Sequence, residues 1–220
     1  MFREFCKERL KRVRTTRDAL VCRLLYPKLK RYKSVLLYCP LKHELDLLPL
    51  AFKLRQLNKR VWLPQSLKQA NSLCRERFNI APFRLPLRRL KFFDEPSPSC
   101  FYKRRLDCII IPILGMDMDF RRVGFGAGMY DRSLPKLLKN QRKQPLVVFV
   151  SRELIMASKP LTHAYDIQAN LYVNPRIVIK NNQKVRYGSQ RINLCFIRSH
   201  CFLFDNRSNC VSHYEKDLSC

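Results

Sequence analysis

A chain of 220 residues, 46% of them hydrophobic, is long enough to bury a core and too apolar to stay disordered. Its 44 Lys and Arg against 17 Asp and Glu give a formal charge of +27, which draws phosphates, carboxylates and nucleic acid over long range without choosing among them. The apolar runs, such as Ser34 to Cys39, Cys108 to Leu114 and Leu146 to Val150, are strand-sized and fall short of the roughly 20 residues that cross a bilayer, so no membrane-spanning helix is expected.

The basic residues form short clusters at Lys7 to Arg17, Lys28 to Lys33, Arg84 to Lys91 and Lys139 to Lys143, which fits a generally basic solvated surface. Met1 to Arg17 is interleaved with charge and lacks an apolar stretch followed by small residues, so it reads as cytoplasmic rather than secreted. The 10 cysteines are scattered without a C-x-x-C pair, which points to free, mostly buried thiols. Cys195, Cys201, Cys210 and His213 match no zinc-module spacing.

In chain order, Met1 to Leu25 carries apolar residues at helical spacing and predicts an N-terminal helix with a break near Thr15 and Thr16. Ser34 to Cys39 is a β-prone run ended by Pro40. Glu44 to Leu57 returns to helical spacing, and Val61 to Leu63 is a short strand. Such a β-α-β unit favours a parallel sheet with helices on its faces. Prolines 82, 86, 96 and 98 break residues 65 to 100 into short strands and loops. Leu106 to Leu114 predicts a central buried strand, Tyr130 to Leu138 a helix, Pro145 to Val150 a second buried strand and Asn170 to Val173 a shorter one. Arg176 to Tyr187 alternates around Asn181 and Asn182 like a hairpin. One domain over residues 1–187 is expected, followed by an extension over 188–220 in which no motif stands out.

Three of the 5 glycines, Gly124, Gly126 and Gly128, alternate in Val123-Gly-Phe-Gly-Ala-Gly-Met-Tyr-Asp131. Glycine lets a bound group approach the backbone, and successive amides at the start of a helix make an anion site, so a phosphate cradle is one reading and a bare tight turn the other. Asp117, Asp119 and Asp131 flank the loop in an acid-poor chain, with Arg121, Arg122 and Arg132 among them. Carboxylates there suit a divalent metal and arginines suit phosphate, although Asp117 and Asp119 read better as turn residues.

The run Asp107-Cys-Ile-Ile-Ile-Pro112, then Asp117, then Arg122-Val-Gly-Phe-Gly-Ala-Gly-Met-Tyr-Asp-Arg132 resembles the signature of the 5-formyltetrahydrofolate cyclo-ligase family. Weaker markers extend the resemblance over about Met1 to Pro175: Lys7-x-x-Leu10-Lys11, Tyr38-Cys-Pro-Leu-Lys-His-Glu44, Glu95-Pro96 and Asp166-Ile-Gln-Ala-Asn170. It implies a three-layer α/β/α fold with a mostly parallel central sheet. It also implies ATP-dependent conversion of 5-formyltetrahydrofolate to 5,10-methenyltetrahydrofolate with release of ADP and phosphate. By that resemblance Lys7, Lys11 and the stretch Arg122, Val123, Gly124, Phe125, Gly126, Ala127, Gly128, Met129 and Tyr130 bind ATP. Cys39, Glu44, Gly126 and Tyr130 meet the folate, and Asp131 and Asn170 hold Mg2+.

The chain departs from the family pattern at four of these positions. Ala127 stands where a glycine is common, Met129 where a second aromatic is common, and Tyr165 where a His is frequent. Asn170 replaces a second acidic metal ligand, and its amide oxygen would bring no charge to magnesium. A monomer acting on small molecules, without membrane or specific nucleic acid, is the accompanying expectation. The alternatives are a family member with altered or lost folate chemistry, a helix-rich interaction module using the first 33 residues, and a basic RNA-binding protein. The last lacks the aromatic-rich strand motifs of RNA readers.

Overall fold

A computed structural model describes residues 1–12, 17–67, 77–83, 105–126, 128–139, 141–157, 159–163, 165–181 and 202–204. The expected break at Thr15 and Thr16, most of the proline-broken segment, Ala127 and the Cys195 to His213 group lie outside them. Two helices open the chain, α1 (Phe2–Arg12) and α2 (Asp18–Leu29). Strand β1 (Ser34–Leu36), helix α3 (Leu48–Gln56) and strand β2 (Arg60–Leu67) then form the expected β-α-β unit. The chain continues through β3 (Arg77–Pro82), β4 (Cys108–Pro112), β5 (Gly115–Met116), β6 (Arg122–Val123) and α4 (Met129–Leu138). It ends with β7 (Leu146–Val150), β8 (Ile155–Ala157), β9 (Leu171–Val173), β10 (Val178–Lys180) and β11 (Phe202–Phe204).

Seven strands form the main sheet in the order β10-β9-β7-β4-β1-β2-β3. The five inner strands, β9 to β2, pair in parallel, and β10 and β3 close the edges antiparallel. The run Cys108 to Ile111 shows why the sheet is buried on both faces. Side chains alternate along a strand, so Cys108 and Ile110 join the core under α2 and α3 while Ile109 and Ile111 join the core under α4. Helix α2 answers with Val21, Leu25 and Leu29 at four-residue spacing, all 0% exposed, and each such burial contributes on the order of 2 kcal/mol.

On the α4 side a second sheet, in the order β11-β8-β5-β6, adds a further layer. Helix α1 lies on it through Phe2, Cys6 and Leu10, packed with Leu114, Val123, Ile155 and Ala157. Gly115 permits that approach, because a β-carbon there would stand 3.0 Å from Cys6 Sγ and 2.9 Å from Ile155 O. Strand β11 joins this sheet in parallel with β8, which ties part of the C-terminal segment to the small sheet. The architecture is the α/β/α sandwich with a mostly parallel sheet that the sequence suggested. Of the described cysteines, Cys6, Cys22, Cys39 and Cys108 are free thiols, and Cys6 and Cys108 are buried.

One local expectation is corrected. Helix α3 starts at Leu48 rather than Glu44, because residues 41–47 form a turn. In it Glu44 Oε2 accepts the Leu41 N–H, and Asp46 Oδ1 accepts the Leu48 N–H. A hairpin turns at Asn174 to Ile177, where β10 pairs back on β9, and the one expected around Asn181 and Asn182 runs into residues outside those described. Asn174 Oδ1 accepts the N–H groups of Arg176 and Ile177, each at 2.8 Å, so the Asn-Pro pair supplies the turn chemistry. No helix among the described residues is long and apolar enough to cross a membrane.

Candidate active site

Counting only the parallel strands, the chain builds the sheet outward in both directions from the β1–β4 pair, so the strand order reverses between them. Open α/β sheets bind ligands in the crevice at the strand carboxyl ends beside such a reversal. A cleft lies there, lined by the ends of β4 and β7 (Pro112, Val150), by Leu10 of α1, by His43 and Glu44, by Phe125 of the glycine loop and by Arg152. It encloses about 10 Å³, about enough for one water molecule. Phe125 closes it: its ring meets His43 with centroids 4.7 Å apart.

The glycine loop carries a guanidinium on each of its glycines. A β-carbon built on Gly124 would lie 2.5 Å from Arg122 Nη1, one on Gly126 3.4 Å from Arg3 Nη1, and one on Gly128 3.1 Å from Arg132 Nη1. Gly126 at φ +111° and Gly128 at φ +59° hold backbone conformations that side chains disfavour, and Gly128 leads directly into α4. Three cations thus converge on a short backbone segment at a helix start, an arrangement suited to a phosphate chain.

Glu44 faces this loop across the cleft. Burial pushes its carboxyl up to about 7 from 4.5, against the pull of the Leu41 N–H and of Arg152. The phenols of Tyr38 and Tyr130 are raised, first by burial and next by the Glu44 charge, which puts both rings in the field of that carboxylate. Tyr130 is wedged between Phe78, edge-on at 5.0 Å, and the Arg122 guanidinium at 5.1 Å. The His43 ring is held below its ordinary basicity by burial, then by Arg152 and Lys11, and its buried Nε2 has no hydrogen-bond partner. Such an orphaned atom in a cleft wall is what a bound ligand or water satisfies.

Because the fold favours the protonated Glu44, its contribution to stability is complete below about pH 4.5 and is lost as pH rises through about 7. The melting temperature of the native chain therefore falls relative to that of Glu44→Gln between about pH 5 and pH 8. Parallel melting profiles for the two proteins would remove Glu44 from its buried setting.

Several sequence-predicted residues sit elsewhere or do other work. Lys7 Nζ pairs with Glu4 at 2.8 Å and Lys11 Nζ with Glu8 at 2.7 Å, each within α1. Val123 and Met129 pack into the apolar clusters, so only their backbones face the loop. Cys39 is exposed just past β1. Asp117 is a turn organiser, as its sequence context suggested: its carboxylate takes N–H groups from Asp119, Arg121 and Leu161 and the Thr162 hydroxyl.

Asp131 is committed to Arg122, whose Nε and Nη2 reach its two oxygens, and it also accepts the Ile167 N–H. Asn170 is not brought to it. Its Oδ1 accepts the Val147 N–H at 2.8 Å, at the opposite, amino-terminal edge of the sheet. Among the described residues no cluster of three His, Cys, Asp or Glu side chains could hold a metal. The donor set as arranged does not fit magnesium, because Asp131 is held by Arg122 and Asn170 faces the far edge of the sheet.

Sequence reasoning missed Arg3, His43 and Arg152. Arg152 clamps the Glu44 turn to α2 through the Lys42 carbonyl and an ion pair with Asp18. It directly follows Ser151 at the end of β7, and reading the residues just beyond each buried strand would have flagged it. No local signal pairs Arg3 with Gly126.

The parallel sheet, the reversal of strand order and the cation-lined loop define an α/β enzyme with a ligand cleft at its strand carboxyl ends. The profile of the 5-formyltetrahydrofolate cyclo-ligase family matches residues 6–169, and the chain belongs to that family of ligases. The 5-formyltetrahydrofolate cyclo-ligase of Mycoplasma pneumoniae is 25% identical over 143 residues, 64% of this chain and 73% of that protein. The enzyme of the same name from Escherichia coli K12 is 28% identical over 157 residues, 69% of this chain and 83% of its own. The solved 5,10-methenyltetrahydrofolate synthetase of Aquifex aeolicus shares the fold, with a TM-score of 0.58 at 23% identity over 87% of this chain and 96% of that one.

Proposed function

We propose that this chain uses ATP to convert 5-formyltetrahydrofolate to 5,10-methenyltetrahydrofolate, releasing ADP and phosphate. The observation that carries the reading is the set of three guanidiniums, from Arg3, Arg122 and Arg132, on the glycines of the loop whose Phe125 lines the cleft together with Glu44. In this scheme the formyl oxygen attacks the γ-phosphate, which turns a poor leaving oxygen into a good one. The neighbouring folate nitrogen closes the ring onto the formyl carbon, and phosphate departs. Positioning and neutralisation of phosphate charge supply most of the catalysis. The loop amides from Gly124 to Gly128 and the three arginines hold the phosphates, with Lys7 and Lys11 of α1 added once they leave their exposed glutamate partners.

Glu44 takes the N–H groups of the pterin edge, since a carboxylate accepts two such bonds, and it ionises as it does so. Phe125 swings away from His43 to admit the ring, because the cleft as closed holds no more than water. The enzyme works as a cytoplasmic monomer on small molecules. A second reading, a family member that keeps the fold and has lost the chemistry, is favoured by the Asp131–Arg122 pair, which occupies the carboxylate that the resemblance assigns to a metal.

Replacing Arg3 by Ala, a residue no sequence pattern marked, raises the KM for ATP about tenfold and leaves that for the folate within twofold, as loss of one charge-assisted contact to phosphate does. Lys7→Ala and Lys11→Ala follow the same split with smaller changes. Steady-state kinetics with each substrate varied in turn reads this directly, and equal rises in both KM values would take α1 out of the nucleotide site.

A further inference from the structure

A cavity of about 780 Å³ lies apart from the cleft. It lies at the amino ends of the five parallel strands, lined by Arg31, Tyr32 and Lys33 before β1, Arg60 at the start of β2, Arg105 to Asp107 before β4, Lys143 to Leu146 before and into β7, and Asn170 before β9. A strand such as β7, five residues from Leu146 to Val150, separates it from the cleft by about 13 Å. We infer that this cavity is a second ligand site, for a small organic phosphate carrying three or four negative charges.

The charge balance of the lining points that way. Five cations, Arg31, Lys33, Arg60, Arg105 and Lys143, face one carboxylate, Asp107. That carboxylate is already spent: it accepts the N–H groups of Lys33 and Ser34, each at 3.0 Å, and pairs with Arg105 at 3.1 Å. Asn170 likewise spends its amide oxygen on Val147. The side chains of Arg31, Lys33, Arg60 and Lys143 are exposed and make no ion pair among the described residues. The carboxylate is used up and four cationic donors are left over, the inverse of what a cation site shows.

A concave wall of one sign focuses its field and concentrates counter-ions of the opposite sign. The volume falls in the range of small-molecule sites, roughly 300 to 1,000 Å³, and Tyr32, Leu106, Pro145 and Leu146 give it an apolar wall for an organic group. Arginines select phosphate through paired hydrogen bonds. Tyr32 is the one aromatic among the lining residues, too few for the stacked bases of a bound RNA strand.

The test is calorimetric titration of the full chain with inorganic tripolyphosphate at low salt, where the glycine loop of the proposed reaction supplies one site and the cavity a second, resolved as separate binding steps. Three proteins are compared: native, Lys33→Glu with Lys143→Glu, and a control, Arg23→Glu with Lys159→Glu, that makes the same charge change at exposed positions outside the cavity. Binding to the cavity falls about tenfold or more in the first pair and stays within about twofold in the control, as loss of specific charge-assisted contacts requires. Circular dichroism melts confirm that all three fold, and should the charge-reversed pair misfold, Lys33→Gln with Lys143→Gln gives the same loss. Equal weakening in both double variants would reduce the effect to net charge and overturn the site. Citrate bound as tightly as tripolyphosphate would overturn the phosphate assignment. A 20-nucleotide single-stranded RNA that alone responds to the cavity variants would transfer the surface to nucleic acid and overturn the proposal of a small ligand.

Discussion

Replacing Asp131 with Ala lowers the melting temperature by about 10 °C and abolishes turnover. The carboxylate and its partner Arg122 are 12% and 6% exposed, so the pair is buried. Removing one partner of such a pair leaves an uncompensated charge and costs about 3 to 5 kcal/mol, which is roughly 10 °C for a domain of this size. Activity goes as well, because Arg122 covers Gly124 and supports the Tyr130 ring, and a freed guanidinium holds neither in place. The double variant Asp131→Ala with Arg122→Met separates the two effects. It recovers most of the stability, since an apolar residue of similar volume fits a site from which both charges are gone, and it recovers no activity. Thermal melts and turnover on the two proteins check this, and a single variant that melts like the native chain would show that the pair is not structural.

Gly126→Ala produces the larger imbalance between activity and stability. At φ +111° the backbone suits glycine alone, and a side chain there costs about 1 to 3 kcal/mol, or roughly 5 °C in melting temperature. The added carbon would only touch the end of the Arg3 side chain, at 3.4 Å from Nη1, so the strain falls on the loop backbone and moves it. A displacement of about 1 Å among groups that position a phosphate costs on the order of a hundredfold in kcat/KM. The protein remains folded while turnover drops by about that factor. Activity within twofold of native would mean that the loop does not bind the reacting group.

The long apolar runs were legible because each is a buried strand. Ser34 to Cys39, Leu106 to Leu114 and Pro145 to Val150 became β1, β4 and β7, and the alternating burial of Cys108 to Ile111 explains why they read as continuous rather than alternating. Strands β5 and β6 have two residues each and β8 three, too short for any periodicity, so the small sheet under α1 was invisible. The turn at Asn174-Pro175 went unread, although its signal is local: Asn174 bonds forward to two N–H groups and proline follows it.

In the site, the glycine loop was readable from local spacing and Glu44 from its motif. What the sequence could not display was geometry over long separations. Arg3 stands over a glycine 123 positions away, and Asn170 faces the sheet edge opposite to the one its family position suggested. The Asp131–Arg122 pair, nine residues apart, turned an assigned metal ligand into a buried structural anion.

The central claim is that the cleft between Glu44 and the glycine loop closes the folate ring at the expense of ATP. Spectroscopic appearance of 5,10-methenyltetrahydrofolate, followed from 5-formyltetrahydrofolate with the purified chain in the presence and absence of ATP, tests it most directly. The account predicts product only with ATP, one ADP formed per product, and a signal slowed about a hundredfold in Gly126→Ala. A native, folded chain that yields no product with ATP, or yields it equally without, would contradict it.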